Sequence, residues 1–112
     1  YISATIAYYR SLPAMPTAIV CTNDVIAYRL IRALREEGYR VPEDISVVGY
    51  DNIFMTQYMN PPLTTYSVPI AELARHAVEA VVGHIEGNKE REYVVLEGTI
   101  VERNSVRRID LE

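Results

Sequence analysis

The stretch that decides the fold is residues 17–52, which read TAIVCTNDVIAYRLIRALREEGYRVPEDISVVGYDN. Near its two ends, residues 17–21 and 45–50 are short, mostly apolar runs that do not alternate with polar residues. Runs of this kind, bounded by turn residues, are typical of strands covered on both faces, as in a parallel sheet. The stretch therefore predicts two parallel strands with a connection between them.

A helix is predicted as that connection. Either Asn23 or Asp24 can cap its first turn, because a short side-chain acceptor there meets free backbone N–H groups. Gly38 follows the last periodic residue, and Pro42 prevents the helix from resuming. One apolar stripe recurs at helical spacing and consists of Ile26, Ala27, Leu30, Ile31 and Leu34. Residues 17–52 are thus predicted to form a βαβ unit.

Polar side chains follow both predicted strands. Asn23 and Asp24 come after the first, and Asp51 and Asn52 come after the second. Open parallel sheets bind ligands beyond the carboxyl ends of their strands, and neighbouring strands lie about 5 Å apart. Taken alone, each residue favours a structural role, Asn23 as a helix cap and Asp51 as a turn residue. Together they favour a ligand crevice, in which an amide and a carboxylate suit the hydroxyl groups of a polyhydroxylated ligand.

Elements are also predicted on either side of residues 17–52. Residues 1–12 carry apolar residues at helical spacing and predict an amphipathic helix. Residues 53–59 suit one or two helical turns with an apolar cluster, which either packs on the sheet or forms a subunit interface. Residues 63–68 are rich in β-branched and aromatic residues and predict a strand.

The C-terminal third predicts a long helix followed by strands. The helix begins near Ile70 and stops at Gly87, with an apolar stripe of Ile70, Leu73, Ala74, Ala77, Val78, Val81, Val82 and Ile85. Residues 93–96 and 99–101 are predicted as strand, broken by a glycine. Residues 103–112 form a charged tail that is expected to fray.

Bulk composition limits the classes of function. The 112 residues suffice for one modest domain, and because the chain starts with Tyr1 we expect it to be a piece of a longer protein. A net charge of −4 argues against duplex DNA binding by this segment itself. The one cysteine, Cys21, cannot form an internal disulfide and fits a reducing compartment. No apolar run is long enough to span a membrane.

Catalytic and cofactor motifs are not found in this sequence. A nucleophilic enzyme needs a serine or cysteine with a base in reach, and neither a G-x-S-x-G turn nor a glycine-rich phosphate loop occurs. His76 and His84 have no third metal ligand at a suitable spacing, so surface positions are expected for both. We therefore predict no enzyme activity, no cofactor and no metal.

Five motifs in order resemble those of a known family. They are the Asn-Asp turn at 23–24, Val-Pro-Glu-Asp at 41–44, Gly-Tyr-Asp-Asn at 49–52, Pro-Pro-Leu-Thr-Thr at 61–65 and Arg-Asn-Ser at 103–105. From about Pro16 to Val106 the chain resembles the C-terminal part of the effector-binding core of the lactose-repressor/galactose-repressor (LacI/GalR) family of bacterial transcription regulators.

The resemblance implies an α/β fold of the periplasmic-binding-protein-like kind (type I). That fold has three layers, a mostly parallel sheet with helices on both faces, and two subdomains with the ligand between them. Residues 1–65 would then be part of the C-terminal subdomain and residues 66–69 a crossover. Residues 70–92 would be a helix and turn of the N-terminal subdomain, and residues 93–112 a returning strand and tail.

Site residues follow from the same resemblance. Asn23 and Asp51 fall where family members contact the effector, and Asp24 matches a residue usually tied to turn structure, with a weaker claim to ligand contact. Val68 and Ile70 lie at the crossover where some members contact ligand, although both are aliphatic here. The positions where family members dimerise are Tyr28, Arg29, Arg32, Tyr58 and Met59.

The resemblance implies a cytoplasmic, homodimeric transcription regulator that acts as a repressor, as the repressors that give the family its name do. A small-molecule effector, a sugar rather than a purine, would control DNA binding allosterically. Operator DNA would be bound by an N-terminal helix-turn-helix that this chain lacks, and no membrane partner is implied. The main alternative is a periplasmic sugar receptor of an uptake system, which shares the fold. An enzyme on the same scaffold is disfavoured because no nucleophile–base pair is present.

Overall fold

The computed structural model describes residues 1–111, which form three α-helices, a short 3-10 helix and four strands. The α-helices are α1 (Ile2–Ser11), α2 (Asp24–Glu36) and α3 (Ile70–Ile85), and the 3-10 helix is η1 (Phe54–Tyr58). The strands are β1 (Ala18–Val20), β2 (Ser46–Asp51), β3 (Thr64–Ser67) and β4 (Thr99–Val101). The predicted helices and the strands at both ends of the βαβ unit are therefore present.

The four strands form one mixed sheet in the order β1-β2-β3-β4. β1 runs parallel to β2 with Val20 opposite Val48, and β2 runs parallel to β3. β4 returns antiparallel to β3. This topology confirms the βαβ unit and the mostly parallel α/β class, and it brings the carboxyl ends of β1, β2 and β3 to one edge.

Helix α2 packs on one face of this sheet. Four of the five predicted stripe residues, Ala27, Leu30, Ile31 and Leu34, are buried, and Ile26 is exposed. They pack with Ile6 of α1 and with Val47 and Leu63 of the sheet in a single core. Asn23 caps α2, and Gly38 lies just beyond its end with φ +88°. A left-handed residue there closes the helix, and glycine adopts it without a Cβ clash.

The opposite face of the sheet is open in residues 1–111. Side chains on that face alternate with those packed under α2, and Val20, Tyr50 and Ile100 are 77%, 44% and 59% exposed. The expectation that the first strand is covered on both faces is therefore met on one face only. The described helices lie elsewhere, so residues 1–111 do not form the second helical layer.

Helix α3 also presents an unpaired apolar surface. It contains the predicted stripe but no buried residue, and Val78, Val81 and Ile85 are 62%, 60% and 78% exposed. The radius of gyration is 18.7 Å, against about 13 Å for a compact chain of this length, and the longest extent is 59 Å. The helix therefore projects away from the sheet instead of packing on it.

The strand predicted at residues 93–96 is wrong. No strand forms there in the described chain, and Tyr93 and Val95 are 97% and 89% exposed. A β-prone run becomes a strand only when a neighbouring strand supplies hydrogen-bond partners, and none of residues 1–111 does so for this run.

The prediction that residues 103–112 fray is also wrong for the first half of that segment. Ser105 is fully buried, accepts a hydrogen bond from Thr64 N at 2.8 Å and donates one to the carbonyl of Val47. Val47 N in turn donates to the Ser105 carbonyl at 2.9 Å. These bonds hold Ser105 between the N-terminal ends of β2 and β3, just before the two strands begin to pair with each other. Glu112, the last residue of the predicted tail, lies outside the described residues.

The Val-Pro-Glu-Asp motif forms the turn that leads into β2. The Asp44 carboxylate accepts a hydrogen bond from Arg40 N at 2.7 Å and two from the Arg40 guanidinium at 3.0 Å. These bonds lower the pKa of Asp44 to about 2. None of the helices in residues 1–111 is both long and apolar enough to cross a membrane.

Candidate ligand-binding site

Asn23 lies just beyond β1, where its side chain can cap α2 and also donate a hydrogen bond to a ligand. Its Oδ1 accepts a hydrogen bond from Ile26 N at 2.9 Å, which is the N-cap contact. The side chain is only half-buried, and its Nδ2 has no acceptor within residues 1–111. The helix-cap interpretation is therefore confirmed, while the amide group keeps a donor for a ligand.

Asp51 ends β2 in a strained backbone conformation. Its φ is +113°, and that of the following Asn52 is +58°. Each residue of this kind costs on the order of 1–3 kcal/mol and persists only where the surrounding structure holds it, and such strain clusters at ligand sites. Asp and Asn tolerate positive φ better than other residues with a side chain, which explains their use in this turn. The half-buried Asp51 carboxylate has no protein donor within the described chain.

Asn52 holds this strained turn through both ends of its amide. Its Nδ2 donates to Ser67 Oγ at 3.1 Å, which links the turn to the end of β3. Its Oδ1 accepts from Arg103 Nη2 at 2.8 Å and from Thr56 Oγ1 at 3.2 Å. Three separate segments therefore determine the backbone direction at Asp51.

Asp24 also holds this turn, and its side chain is too buried to reach a ligand. It is 1% exposed, and its two oxygens accept hydrogen bonds from Thr65 Oγ1 at 2.6 Å and Ile53 N at 2.8 Å. Burial, together with the Asp24 charge, raises the pKa of the neighbouring Cys21 to about 11. The weaker prediction that Asp24 contacts ligand is therefore not supported by its geometry, which ties the start of α2 to the turn after β2.

The segment that leaves β3 and the segment that enters β4 meet beside the site. Tyr66 OH accepts a hydrogen bond from Gly98 N at 2.7 Å, and its ring stacks on Tyr50 at a centroid distance of 4.9 Å. A Cβ on Gly98 would lie 2.6 Å from the Tyr66 ring, so this close approach needs glycine. The segment leaving β3 is thus joined to the segment entering β4, next to the residue before Asp51.

The predicted crossover contacts lie farther along the chain. Val68 is half-buried, and Ile70 is the first residue of α3 and 64% exposed. Neither has a polar side-chain atom to offer a hydroxyl group. Ligand contact by Ile70 stays a prediction.

The predicted dimer residues fall into two groups. Tyr28, Arg29 and Arg32 lie on the exposed side of α2, and the Arg32 guanidinium is 3.6 Å from Glu36. Tyr58 is 66% exposed, whereas the half-buried Met59 packs against the core and offers less surface.

The apolar cluster of residues 53–59 is mainly outward-facing. Phe54 and Met55 are 72% and 59% exposed, and the Phe54 ring meets that of Tyr58 edge-on at 5.2 Å. Packing on the sheet therefore accounts for Met59 but not for Phe54, Met55 and Tyr58.

The sequence reasoning missed the residues that support the site. Arg103 and Ser105 belong to the Arg-Asn-Ser motif, which marked the family resemblance but was assigned to a fraying tail. Thr56 and Ser67 carried no signal, because their partners lie distant in sequence. No three His, Cys, Asp or Glu side chains come together as a metal site within residues 1–111.

Comparison with known proteins places this geometry in a family. Residues 3–106 match the family described as periplasmic binding protein-like domain. The chain belongs to that family. Within it, the relatives described below confirm the resemblance to the effector-binding core of LacI-type regulators.

Two curated relatives are repressors. The HTH-type transcriptional repressor PurR of Vibrio atlanticus is 43% identical over 97 residues, which cover 85% of this chain and 29% of that protein. The ribose operon repressor of Haemophilus influenzae is 41% identical over 92 residues, or 81% of this chain and 28% of that protein. The chain thus spans less than a third of the length of the repressors that it matches.

Two solved structures share the fold. A LacI-type transcription regulator from Bifidobacterium animalis superposes with a TM-score of 0.85 at 36% identity and covers 95% of this chain and 38% of that one. A LacI family transcriptional regulator from Enterococcus faecium with bound ribose gives a TM-score of 0.82 at 35% identity, covering 94% of this chain and 39% of that one. The periplasmic-binding-protein-like fold class is confirmed.

Proposed function

We propose that this chain is part of the effector-binding region of a LacI-type transcriptional regulator, and that its effector is a sugar. The observation that carries the proposal is the Asp51 carboxylate, held in a strained turn at the end of β2, which pairs in parallel with β1, the strand that Asn23 follows. A carboxylate accepts hydrogen bonds from two vicinal hydroxyl groups, and the Asn23 amide donates to a third oxygen. A pentose such as ribose presents this pattern.

The comparisons support a regulator over an uptake receptor or an enzyme. The relatives described above are repressors and LacI-type regulators, and one structural neighbour holds ribose. We propose that operator DNA is bound by an N-terminal helix-turn-helix outside this chain, that the regulator is cytoplasmic, and that it has no enzyme activity. Ligand binding changes operator affinity if the two arrangements of the subdomains differ in affinity for the ligand.

The open surfaces of the chain fit this assignment. We propose that residues 66–69 are a crossover and that α3 belongs to a second subdomain. The apolar stripe of α3, exposed in residues 1–111, would pack there. The sheet face that carries Val20 and Tyr50 would be covered by another part of the same protein.

A homodimer is proposed through two surfaces. One consists of Tyr28, Arg29 and Arg32 on α2, and the other of Phe54, Met55 and Tyr58 on η1, with Met59 at its edge. Exposed aromatic and methionine side chains are enriched at protein interfaces, and arginine is as well. A dimer would match the two-fold symmetry of a repressor operator.

The decisive experiment is ribose titration of the full-length regulator by calorimetry, alongside an operator gel-shift assay. Asp51→Ala should weaken ribose binding by at least about 10–150-fold, because each hydrogen bond to a charged group contributes about 1.5–3 kcal/mol and the carboxylate would accept two. Operator binding without ribose should stay unchanged, because the Asp51 carboxylate accepts no hydrogen bond from residues 1–111. Loss of operator binding in ribose-free Asp51→Ala would instead mean that Asp51 is structural.

Two further variants separate structural from ligand-binding roles. Asn23→Ser keeps an oxygen that caps α2 but removes the amide donor, so it should weaken ribose binding while the melting temperature stays nearly constant. Glu43→Ala removes an exposed carboxylate before β2 and should change neither property. Titration with a purine base tests the other effector class, and tight purine binding without ribose binding would overturn the sugar assignment.

A further inference from the structure

Arg103 is a partly buried cation whose hydrogen bonds go to neutral acceptors. Its Nη1 donates to the Leu63 carbonyl at 2.8 Å and to Thr56 Oγ1 at 2.9 Å, and its Nη2 donates to Asn52 Oδ1 at 2.8 Å. Its backbone N donates to Thr64 Oγ1 at 2.9 Å. No carboxylate within residues 1–111 pairs with this guanidinium. Holding an arginine here without an ionic partner carries a desolvation cost, so ion-pair stabilisation does not account for it.

The guanidinium is the strongest donor to the Asn52 amide. Thr56 Oγ1, the other donor to Asn52 Oδ1, lies farther away at 3.2 Å and also donates to the Ile53 carbonyl at 2.7 Å. A charged, planar donor fixes direction better than a shared hydroxyl group. Arg103 is therefore the main contact on the Oδ1 side of the Asn52 amide, while Ser67 Oγ holds the Nδ2 side at 3.1 Å. Loss of the Arg103 contact should loosen the amide and with it the left-handed backbone at residue 52.

The backbone at residue 52 determines where the Asp51 carboxylate points. Both residues have positive φ, and a side chain in such a turn stays in one direction only while its neighbours hold the turn. Arg103 supplies this constraint from the segment after β4, and it lies 51 residues from Asn52 in the sequence.

We propose that Arg103 is a positioning residue for effector binding, acting through Asn52 to hold Asp51 in its strained turn. This inference rests on the proposed function of Asp51. It predicts that effector affinity, more than folding or operator affinity, depends on a side chain that contacts no ligand atom.

The test compares Arg103→Met and Arg103→Lys in the full-length regulator, with D-ribose as the probe. Arg103→Met removes all three side-chain bonds and should raise the ribose Kd by about 10–100-fold. Arg103→Lys keeps the charge without the planar fork and should recover part of that loss. Operator affinity without ribose should change by less than about threefold in both variants, as should all properties of the exposed control Arg108→Met.

A double-mutant cycle tests the route through Asn52. If Arg103 acts through Asn52, then Asn52→Ala should weaken ribose binding by a similar factor. The double variant Asn52→Ala/Arg103→Met should then bind no worse than the weaker single variant, within about threefold. If the increase in ribose Kd of the double variant equals the product of the increases in the two single variants, the proposed route through Asn52 is wrong. An unchanged ribose Kd in Arg103→Met would overturn the positioning role itself.

Amide hydrogen exchange measures the effect of Arg103→Met on the turn without any ligand present. The Ile53 amide donates to Asp24 Oδ2 and the Thr56 amide donates to the Ile53 carbonyl. In Arg103→Met both amides should exchange at least about tenfold faster, while α2 amides such as that of Leu30 stay protected. Absence of ribose binding in the wild-type protein would refute the effector assignment but leave this readout intact. Unchanged exchange at Ile53 and Thr56 would refute the positioning of the turn whatever the effector is.

Discussion

Substituting alanine for Gly49 should disturb the turn at Asp51 and Asn52 without changing either of those residues. Gly49 lies in the middle of β2 on the face covered by α2, and a Cβ there would be 2.2 Å from Asp24 Oδ1. It would also be 2.7 Å from Leu63 Cδ2, which a small rotation of the leucine relieves. β2 lies between β1 and β3, so its backbone cannot retreat. The Asp24 carboxylate must therefore move by about 1 Å to regain ordinary contact distance.

That displacement breaks the two hydrogen bonds that bury Asp24. Bonds to Thr65 Oγ1 and Ile53 N each contribute about 1.5–3 kcal/mol when the acceptor is charged, or about 3–6 kcal/mol together. Replacing a strand glycine by alanine recovers about 0.5–1 kcal/mol of chain entropy. Gly49→Ala should therefore lower the free energy of unfolding by about 2–5 kcal/mol, a large share of the 5–15 kcal/mol typical of a domain.

Urea unfolding of the full-length protein, followed by circular dichroism, measures this loss. The control is Asp24→Ala, which removes the carboxylate and leaves room for a Cβ on Gly49. The double variant should be only as unstable as Asp24→Ala alone, within about 0.5 kcal/mol. If the two losses add, the clash with Asp24 is not the reason that residue 49 is glycine.

Two other predictions concern the subunit surface and the buried thiol. Tyr58→Glu should weaken the proposed homodimer by at least about 10-fold, because an exposed aromatic anchor would be replaced by a charge. Sedimentation across a concentration series measures this, with the exposed Tyr8→Glu on α1 as the control, and equal dimer strength in both variants would exclude the η1 surface. Cys21, whose pKa is raised from 9.0 to about 11, should have a thiolate fraction about 100-fold below that of an ordinary thiol. Iodoacetamide should therefore label Cys21 at a far lower rate in the native protein than in denaturing guanidinium, and equal rates would contradict its burial.

Local patterns were enough to predict most of the sheet side of the fold. The apolar runs at 17–21 and 45–50, the stripe of α2 and the closing Gly38 are each read from neighbours in sequence, and all correspond to observed elements. Interactions of this kind depend on residues within a few positions of one another. The same patterns placed Asn23 and Asp51 at the ends of adjacent strands, because parallel pairing through a helix leaves little freedom.

Elements whose partners lie far away were predicted less well. Residues 93–96 have a strand-like composition but no neighbouring strand in the described chain, and the stripe of α3 is apolar yet exposed. Composition shows that a segment can be buried or paired. It does not show which other segment supplies the partner.

By itself, then, the sequence determined the βαβ unit, its caps and the polar residues at its carboxyl edge, since these follow from short-range periodicity and turn chemistry. Only the tertiary structure decided that Asp24 is closed to ligand, that Asn52 is held by Ser67 and Arg103, and that Ser105 is buried between β2 and β3. Each of those decisions depends on hydrogen bonds between residues at least 15 positions apart in the chain. Their geometry exists only after the strands have assembled.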